Sequence, residues 1–137
     1  MKKANGLSQR AAVPCRLLLV DDDPLFGLTM RKIARSYDIP ITYCSSVEDI
    51  PKLEHPETFT GAIIDIELDR QITGVEVAKY FSAASGIDFP VLLVSSSSKY
   101  AFFADTWPSC VRGFENKMAG AERILERTLD LALPRRF

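Results

Sequence analysis

Short runs of aliphatic residues recur along the chain, and each run stops at polar or charged residues. Such runs are typical of strands that are buried on both faces of a parallel sheet. In the segments between them, apolar residues recur every three or four positions, which is typical of helices that bury one face. The pattern predicts five strands, at Leu17–Val20, Ile41–Cys44, Gly61–Asp65, Val91–Val94 and Cys110–Phe114.

The first helical segment follows the first strand directly. Asp23 can cap the N-terminus of this helix, and Pro24 suits its first position. Its apolar side chains form one face, at Phe26, Met30, Ile33 and Tyr37. Four further helices are predicted at Val47–Leu53, from Gly74, at Ser97–Asp105 and at Ala121–Ala132. Strands that alternate with helices predict an α/β domain with a doubly wound parallel sheet, covered by helices on both faces.

Composition and charge argue against several classes of protein. Of the 137 residues, 47% are hydrophobic and 26% are charged, which suits one globular domain. A net charge of −1 argues against nucleic-acid binding, which usually needs a strong basic excess. No apolar stretch approaches the roughly 20 residues that cross a bilayer, and residues 4–14 lack the hydrophobic region of a signal peptide. We therefore expect a cytoplasmic protein with no nucleic-acid or membrane partner.

The ends of the chain differ from its middle. Residues 1–15 are basic and contain no acid, and we expect them to form a flexible N-terminal tail. One domain is predicted for residues 16–133, followed by a C-terminal tail at residues 134–137. The three cysteines have no Cys-x-x-Cys spacing, so free thiols in a reducing compartment are predicted.

Polar side chains follow the carboxyl ends of most of the predicted strands. Asp21 and Asp22 follow the first strand, Asp65 ends the third, Ser95 follows the fourth, and Lys117 comes after the fifth. In a parallel sheet these ends meet at one edge. Two or three carboxylates can hold one Mg²⁺, which also takes oxygens from a phosphate. A neighbouring hydroxyl and ammonium suit a phosphoryl group, and aspartate can act as a nucleophile towards phosphorus.

From about Arg16 to Ala132 the chain resembles the receiver domains of two-component response regulators. The resemblance rests on four motifs in the family's order: Leu-Leu-Leu-Val-Asp-Asp-Asp-Pro, Ala-Ile-Ile-Asp-Ile, Val-Leu-Leu-Val-Ser and Phe-x-x-Lys. Each motif alone is weak, whereas four in register are specific. The resemblance implies a flavodoxin-like receiver fold, whose five parallel strands lie in the order 2-1-3-4-5.

The resemblance also implies a role for each residue at the strand ends. Asp65 would be the phosphoacceptor and Ser95 the switch hydroxyl. Lys117 would pair with the phosphoryl group, and Phe114 would be the switch aromatic. The implied ligands of Mg²⁺ are Asp21, Asp22, Asp65 and the main-chain carbonyl of Glu67.

The implied function is that of a stand-alone receiver and not of an enzyme. A sensor histidine kinase or a histidine phosphotransfer protein would supply the phosphoryl group to Asp65. Ser95 and Lys117 would then move onto the phosphoryl oxygens. The surface formed by helix four, strand five and helix five would repack and so change its binding of a downstream target protein.

The sequence departs from the family's pattern at three places. Met118 stands where a proline usually follows the lysine, so we predict a trans Lys117–Met118 peptide bond. The loop after Asp65 is one residue longer and lacks the usual proline. In this loop Glu67 adds an acid, which we expect to bind the metal through water or to shift the ion preference. Ser96 replaces a smaller residue, and we expect it to alter how water reaches the phosphoryl group.

Two other functions stay open from the sequence. A pseudo-receiver would keep the fold and bind partners without phosphorylation, and both Met118 and Glu67 leave room for this alternative. A phosphohydrolase of the haloacid dehalogenase type would use Asp21 and Asp23 as an Asp-x-Asp motif. That family, however, expects Thr or Val where this chain has Leu25.

Phe102, Phe103 and Trp107 could belong to the core or to an apolar face that binds a partner. One of Phe102 and Phe103 is expected to lie in the core, and Trp107 is expected to be partly exposed. His55 precedes a proline, so we expect it in a loop with no catalytic part.

Overall fold

A five-stranded parallel sheet forms the centre of the fold. The computed structural model describes residues 15–68, 72–84 and 86–133. The strands are β1 (Leu17–Val20), β2 (Ile41–Cys44), β3 (Gly61–Asp65), β4 (Val91–Ser95) and β5 (Val111–Asn116). Their order is β2-β1-β3-β4-β5, and every neighbouring pair is parallel. The predicted α/β fold and its strand order are therefore confirmed.

Within the described residues, α-helices and short 3₁₀ helices lie between and after the strands. The α-helices are α1 (Pro24–Ser36), α2 (Gly74–Ala83) and α3 (Ala121–Ala132). The 3₁₀ helices are Val47–Lys52, Pro56–Thr58, Ser98–Thr106 and Lys117–Ala119. Helix α3 has the predicted bounds. Helix α1 begins at Pro24 as predicted, and the Asp23 side chain caps it by accepting a hydrogen bond from the Leu25 amide (3.0 Å).

The helix predicted at Ser97–Asp105 is present at Ser98–Thr106, but as 3₁₀ turns and not as an α-helix. Phe103 within it has non-helical backbone angles (φ −106°, ψ 16°). None of these nine residues is fully buried. Most helical stability in proteins comes from packing an apolar face, and in this segment Tyr100 alone packs partly against the core.

The same segment exposes two large aromatic side chains. Phe102 is 86% exposed and Phe103 is 60% exposed, so the expectation that one of them lies in the core is wrong. Trp107 follows the segment and is partly buried, as predicted, with its ring centre 6.1 Å from that of Phe114. His55 lies in an exposed turn with left-handed backbone (φ 52°), which agrees with its assignment to a loop.

Two apolar layers enclose the sheet, one on each face, because successive strand residues point to opposite sides. On one face, Ile64 of β3 packs in a cluster that includes Phe81 of α2. On the other face, Ile63 packs in a cluster with Met30 of α1 and Leu129 of α3. All five side chains are at most 2% exposed. This packing on both faces fixes the positions of the strand ends, where the polar residues lie.

The three cysteines are free, as predicted, at Cys15, Cys44 and Cys110. Within the residues that the structure describes, no helix combines the length and the apolar character needed to span a membrane. The tails predicted at residues 1–15 and 134–137 lie, apart from Cys15, outside the described residues.

Candidate functional site

The carboxyl edge of the sheet brings together residues that are distant in the sequence. Asp21 follows β1, Asp65 ends β3, Ser95 ends β4, and Lys117 follows β5. The register places Val94, which precedes Ser95, beside Asp65. Asp21, Asp65 and Ser95 are all buried. Their side chains therefore meet in one site at this edge, as the sequence predicts.

Lys117 connects the two buried aspartates. Its ammonium nitrogen lies 2.8 Å from Asp21 Oδ2 and 3.0 Å from Asp65 Oδ2. The Lys117 side chain is only 15% exposed, and its ammonium lies 4.7 Å from the centre of the Phe26 ring. Limited contact with water strengthens these charge pairs relative to a surface ion pair.

A short turn after β5 positions the lysine. Asn116 Oδ1 accepts a hydrogen bond from the Met118 amide (2.8 Å), which caps the 3₁₀ helix Lys117–Ala119. The described residues contain no cis peptide bond, so the Lys117–Met118 bond is trans, as predicted. A proline at residue 118 has no N–H, so this cap depends on a residue type that departs from the family pattern.

Three carboxylates cluster at this edge. Asp21, Asp22 and Asp65 each offer an oxygen, and these oxygens lie within 4.8 Å of one another. Asp21 Oδ1 accepts a hydrogen bond from the Asp23 amide (2.8 Å). Asp21 Oδ2 is buried and, among the described residues, accepts no well-directed hydrogen bond, although it pairs in charge with Lys117. The cluster fits a hard cation that prefers carboxylate oxygens.

Burial and mutual repulsion change the proton affinities of these groups. Burial raises the pKa of Asp21 to about 6, and the Asp65 charge adds to this, although Lys117 and the Asp23 amide act in the opposite direction. Burial and then the Asp65 charge also raise the pKa of Asp22. Burial lowers the pKa of Lys117, but the two aspartates outweigh it and the net shift is upward. The two aspartates thus keep the Lys117 ammonium charged.

Glu67 links the phosphoacceptor candidate to the switch hydroxyl candidate. Its amide donates a hydrogen bond to Asp65 Oδ1 (3.0 Å), and its Oε1 accepts one from the Ser95 hydroxyl (3.0 Å). Its Oε2 accepts a third hydrogen bond from the Tyr100 hydroxyl (3.2 Å). The Glu67 carboxylate, expected to bind a metal through water or to shift the ion preference, thus contacts two hydroxyl groups.

Tyr100 is the member of this edge that sequence analysis missed. It lies 33 positions from Glu67, in the 3₁₀ segment Ser98–Thr106, and no motif marks it. Phe114, predicted as the switch aromatic, is partly buried and packs against Trp107. Tyr100 supplies an aromatic hydroxyl that shares the Glu67 carboxylate with Ser95. Phe114 has no hydroxyl group and cannot make this contact. Ser96 is exposed, next to Ser95.

Helix α2 approaches the phosphoacceptor candidate closely at its first residue. A Cβ atom at Gly74 would lie 2.1 Å from the main-chain oxygen of Asp65, so only glycine fits without displacement. The Gly74 amide also donates a hydrogen bond to the Ile66 carbonyl (2.9 Å). Gly74 therefore fixes the start of α2 against the backbone that carries Asp65.

No protein-family model matches the chain, and no curated protein matches it in sequence. Solved structures do match its fold. The response regulator protein TrrA from Thermotoga maritima, solved in complex with Mg²⁺-BeF, is 22% identical with a TM-score of 0.72, and the match covers 86% of this chain and 99% of that chain.

Two further solved structures give the same result. A CheY-like response regulator receiver domain protein from Methanospirillum hungatei is 19% identical with a TM-score of 0.65, over 86% of this chain and 95% of that chain. The receiver domain of the Francisella response regulator 1452 is 15% identical with a TM-score of 0.69, over 87% of this chain and 97% of that chain. At these identities the similarity establishes a shared fold.

Proposed function

We propose that this chain, whose fold is that of response regulator receiver domains, accepts a phosphoryl group on Asp65 and signals through the change that follows. The observation that carries the proposal is the contact of the Lys117 ammonium with both Asp21 and Asp65, at 2.8 and 3.0 Å. A cation held beside a carboxylate needs only a short movement to pair with a phosphoryl group on that carboxylate.

The proposed reaction is transfer of a phosphoryl group from a phosphohistidine. An Asp65 oxygen attacks phosphorus, a new O–P bond forms, and the P–N bond of the donor breaks. The electron pair of that bond returns to the imidazole nitrogen, which takes a proton from water. Lys117 would pair with one phosphoryl oxygen, and the Ser95 hydroxyl would donate a hydrogen bond to another.

We propose Mg²⁺ as the cation of this site, held by Asp21, Asp22, Asp65 and the main-chain carbonyl of Glu67. The clustering of three carboxylate oxygens and the buried Asp21 Oδ2 support this assignment. When bound, Mg²⁺ supplies positive charge that offsets the repulsion between the Asp65 carboxylate and the phosphoryl oxygens.

The proposed partners follow from this chemistry. A sensor histidine kinase or a histidine phosphotransfer protein would donate the phosphoryl group. A downstream target protein would bind the surface formed by Ser98–Thr106, β5 and α3, with Phe114 of β5 acting as the switch aromatic. The protein would be a cytoplasmic switch and not an enzyme that turns over an external substrate.

Beryllofluoride binding tests the proposal without a cognate kinase, because beryllofluoride mimics a phosphoryl group on a carboxylate. We expect ¹⁹F NMR to show a bound resonance when the wild type is mixed with Mg²⁺ and beryllofluoride. The resonance should be absent for Asp65→Asn, which keeps the size of the side chain. An equal bound resonance in both proteins would refute the role of Asp65.

One observation favours a second candidate, a pseudo-receiver that binds partners without phosphorylation. The Glu67 carboxylate already accepts the hydrogen bond of Ser95 (3.0 Å), which is the bond that a phosphoryl group would need. If this arrangement is permanent, beryllofluoride should give no bound resonance with the wild type, while the protein stays folded.

A further inference from the structure

We propose that Glu67 bridges Ser95 and Tyr100 in the unphosphorylated protein, and that phosphorylation of Asp65 breaks this bridge and releases Tyr100. We call the contacts of Glu67 with Ser95 and Tyr100 the Glu67 bridge. The inference rests on the proposed function, because it takes Asp65 as the phosphoacceptor. It adds a second connection from the site to the protein surface, one that does not pass through Phe114.

The hydrogen-bonding capacity of Ser95 is the first support. A serine hydroxyl has one O–H to donate, and Ser95 donates it to Glu67 Oε1 (3.0 Å). The Ser95 oxygen also accepts a hydrogen bond from the Ser97 amide (3.0 Å). Ser95 can therefore donate to a phosphoryl oxygen only if its hydrogen bond to Glu67 Oε1 breaks first.

Charge is the second support. The Glu67 amide is hydrogen-bonded to Asp65 Oδ1 (3.0 Å), which holds the Glu67 backbone beside the carboxylate that would be modified. A phosphoryl group carries about −1.5 to −2 charges near neutral pH. Repulsion between that charge and the Glu67 carboxylate acts in the same direction as the competition for Ser95.

Tyr100 is the residue through which the bridge reaches the surface. Its hydroxyl donates to Glu67 Oε2 (3.2 Å), and its side chain packs partly against the core. It belongs to Ser98–Thr106, in which no residue is fully buried and which carries the exposed Phe102 and Phe103. Loss of the Glu67 contact therefore loosens a segment that presents two aromatic side chains.

Other contacts keep the two ends of this segment in place. At its start, Asn116 Nδ2 donates a hydrogen bond to Ser98 Oγ (2.9 Å). At its end, the Trp107 ring lies 6.1 Å from the Phe114 ring. Release of Tyr100 is thus expected to change the middle of the segment while both ends stay anchored, so that Phe102 and Phe103 are presented differently.

Hydrogen–deuterium exchange of the full chain tests the bridge. Tyr100→Phe removes only the hydroxyl group, and loss of one hydrogen bond of about 1 kcal/mol predicts about fivefold faster exchange for amides 99–106. Tyr80→Phe, at an exposed tyrosine of α2, is the matched control and should leave exchange there unchanged. If Tyr100→Phe exchanges like the wild type, the bridge is not formed in solution.

The second part of the test compares exchange with Mg²⁺ alone and with Mg²⁺ plus beryllofluoride. Beryllofluoride should accelerate exchange at 99–106 in the wild type and add little in Tyr100→Phe, where the bridge is already broken. Fluorescence of Trp107, the single tryptophan, should change in parallel. A bound ¹⁹F resonance with unchanged exchange would overturn the release of Tyr100 but not the proposed function. A missing ¹⁹F resonance overturns the proposed function and the release with it.

Discussion

Lys117 and Asp65 are separated by 52 positions in the sequence, yet the Lys117 ammonium lies 3.0 Å from Asp65 Oδ2. Strand pairing brings them together, because β3 and β5 both flank β4 in the sheet. The same ammonium lies 2.8 Å from Asp21 Oδ2. One lysine therefore serves as counter-charge to two buried carboxylates, and we expect the stability of the metal-free protein to depend on it.

Lys117→Ala should lower the free energy of unfolding by about 2 kcal/mol in metal-free buffer. The variant leaves Asp21 buried without its counter-charge, and we take a value below the usual cost for a fully buried pair because Lys117 is partly exposed. Added Mg²⁺ should recover most of the loss. Urea unfolding with and without Mg²⁺ measures both effects, with Lys79→Ala on the exposed side of α2 as control. Equal stability of Lys117→Ala and the wild type would contradict the importance of this charge pair.

Asp22→Asn should weaken Mg²⁺ binding by about tenfold or more, because it removes one charged ligand from the carboxylate cluster. Asp23→Asn is the matched control at the next residue. Asn caps a helix about as well as Asp, and Asp23 binds the Leu25 amide and is not part of the cluster. The melting temperature of each variant, measured as a function of Mg²⁺ concentration, reports its affinity for Mg²⁺. Equal weakening in the two variants would mean that general negative charge, and not ligation, attracts the ion.

Gly74→Ala should destabilise the fold by about 1–3 kcal/mol, which is the usual cost of forcing extra atoms into a packed site. The new Cβ would lie 2.1 Å from the Asp65 carbonyl oxygen, so either α2 or the Asp65 backbone must move. Chemical unfolding measures the loss, and beryllofluoride affinity should fall with it. A fully stable Gly74→Ala protein would show that α2 does not approach Asp65 this closely in solution.

Most of the sheet could be predicted from the sequence because its strands are continuous apolar runs. The structure gives β1, β2 and β3 the predicted bounds, and every residue of β1 and β3 is buried. The exact bounds of α3 were also predictable, because Leu125 and Leu129 mark its buried face. In these elements local pattern and tertiary packing agree.

The segment Ser98–Thr106 shows where this agreement fails. Its aromatic residues favour burial when they are considered alone, but no part of the sequence shows whether the sheet leaves room to bury them. In the structure Phe102 and Phe103 stay exposed, and the segment forms 3₁₀ turns. Packing, which is not a local property, decides both outcomes.

The sequence could predict which side chains meet at this edge, but not the contacts that they make there. Four motifs placed Asp21, Asp65, Ser95 and Lys117 at one edge, and the structure brings them there. The Glu67 bridge to Tyr100 could not be predicted, because it depends on the direction of one flexible side chain and on a segment of irregular backbone.

The most direct test of the proposed function is intact-protein mass spectrometry after incubation with acetyl phosphate and Mg²⁺. The wild type should gain the mass of one phosphoryl group, and the gain should disappear when Mg²⁺ is removed by a chelator. Asp65→Asn should gain nothing under the same conditions. Equal phosphorylation of Asp65→Asn, or no phosphorylation of a folded wild type, would contradict the claim that Asp65 is the phosphoacceptor of this protein.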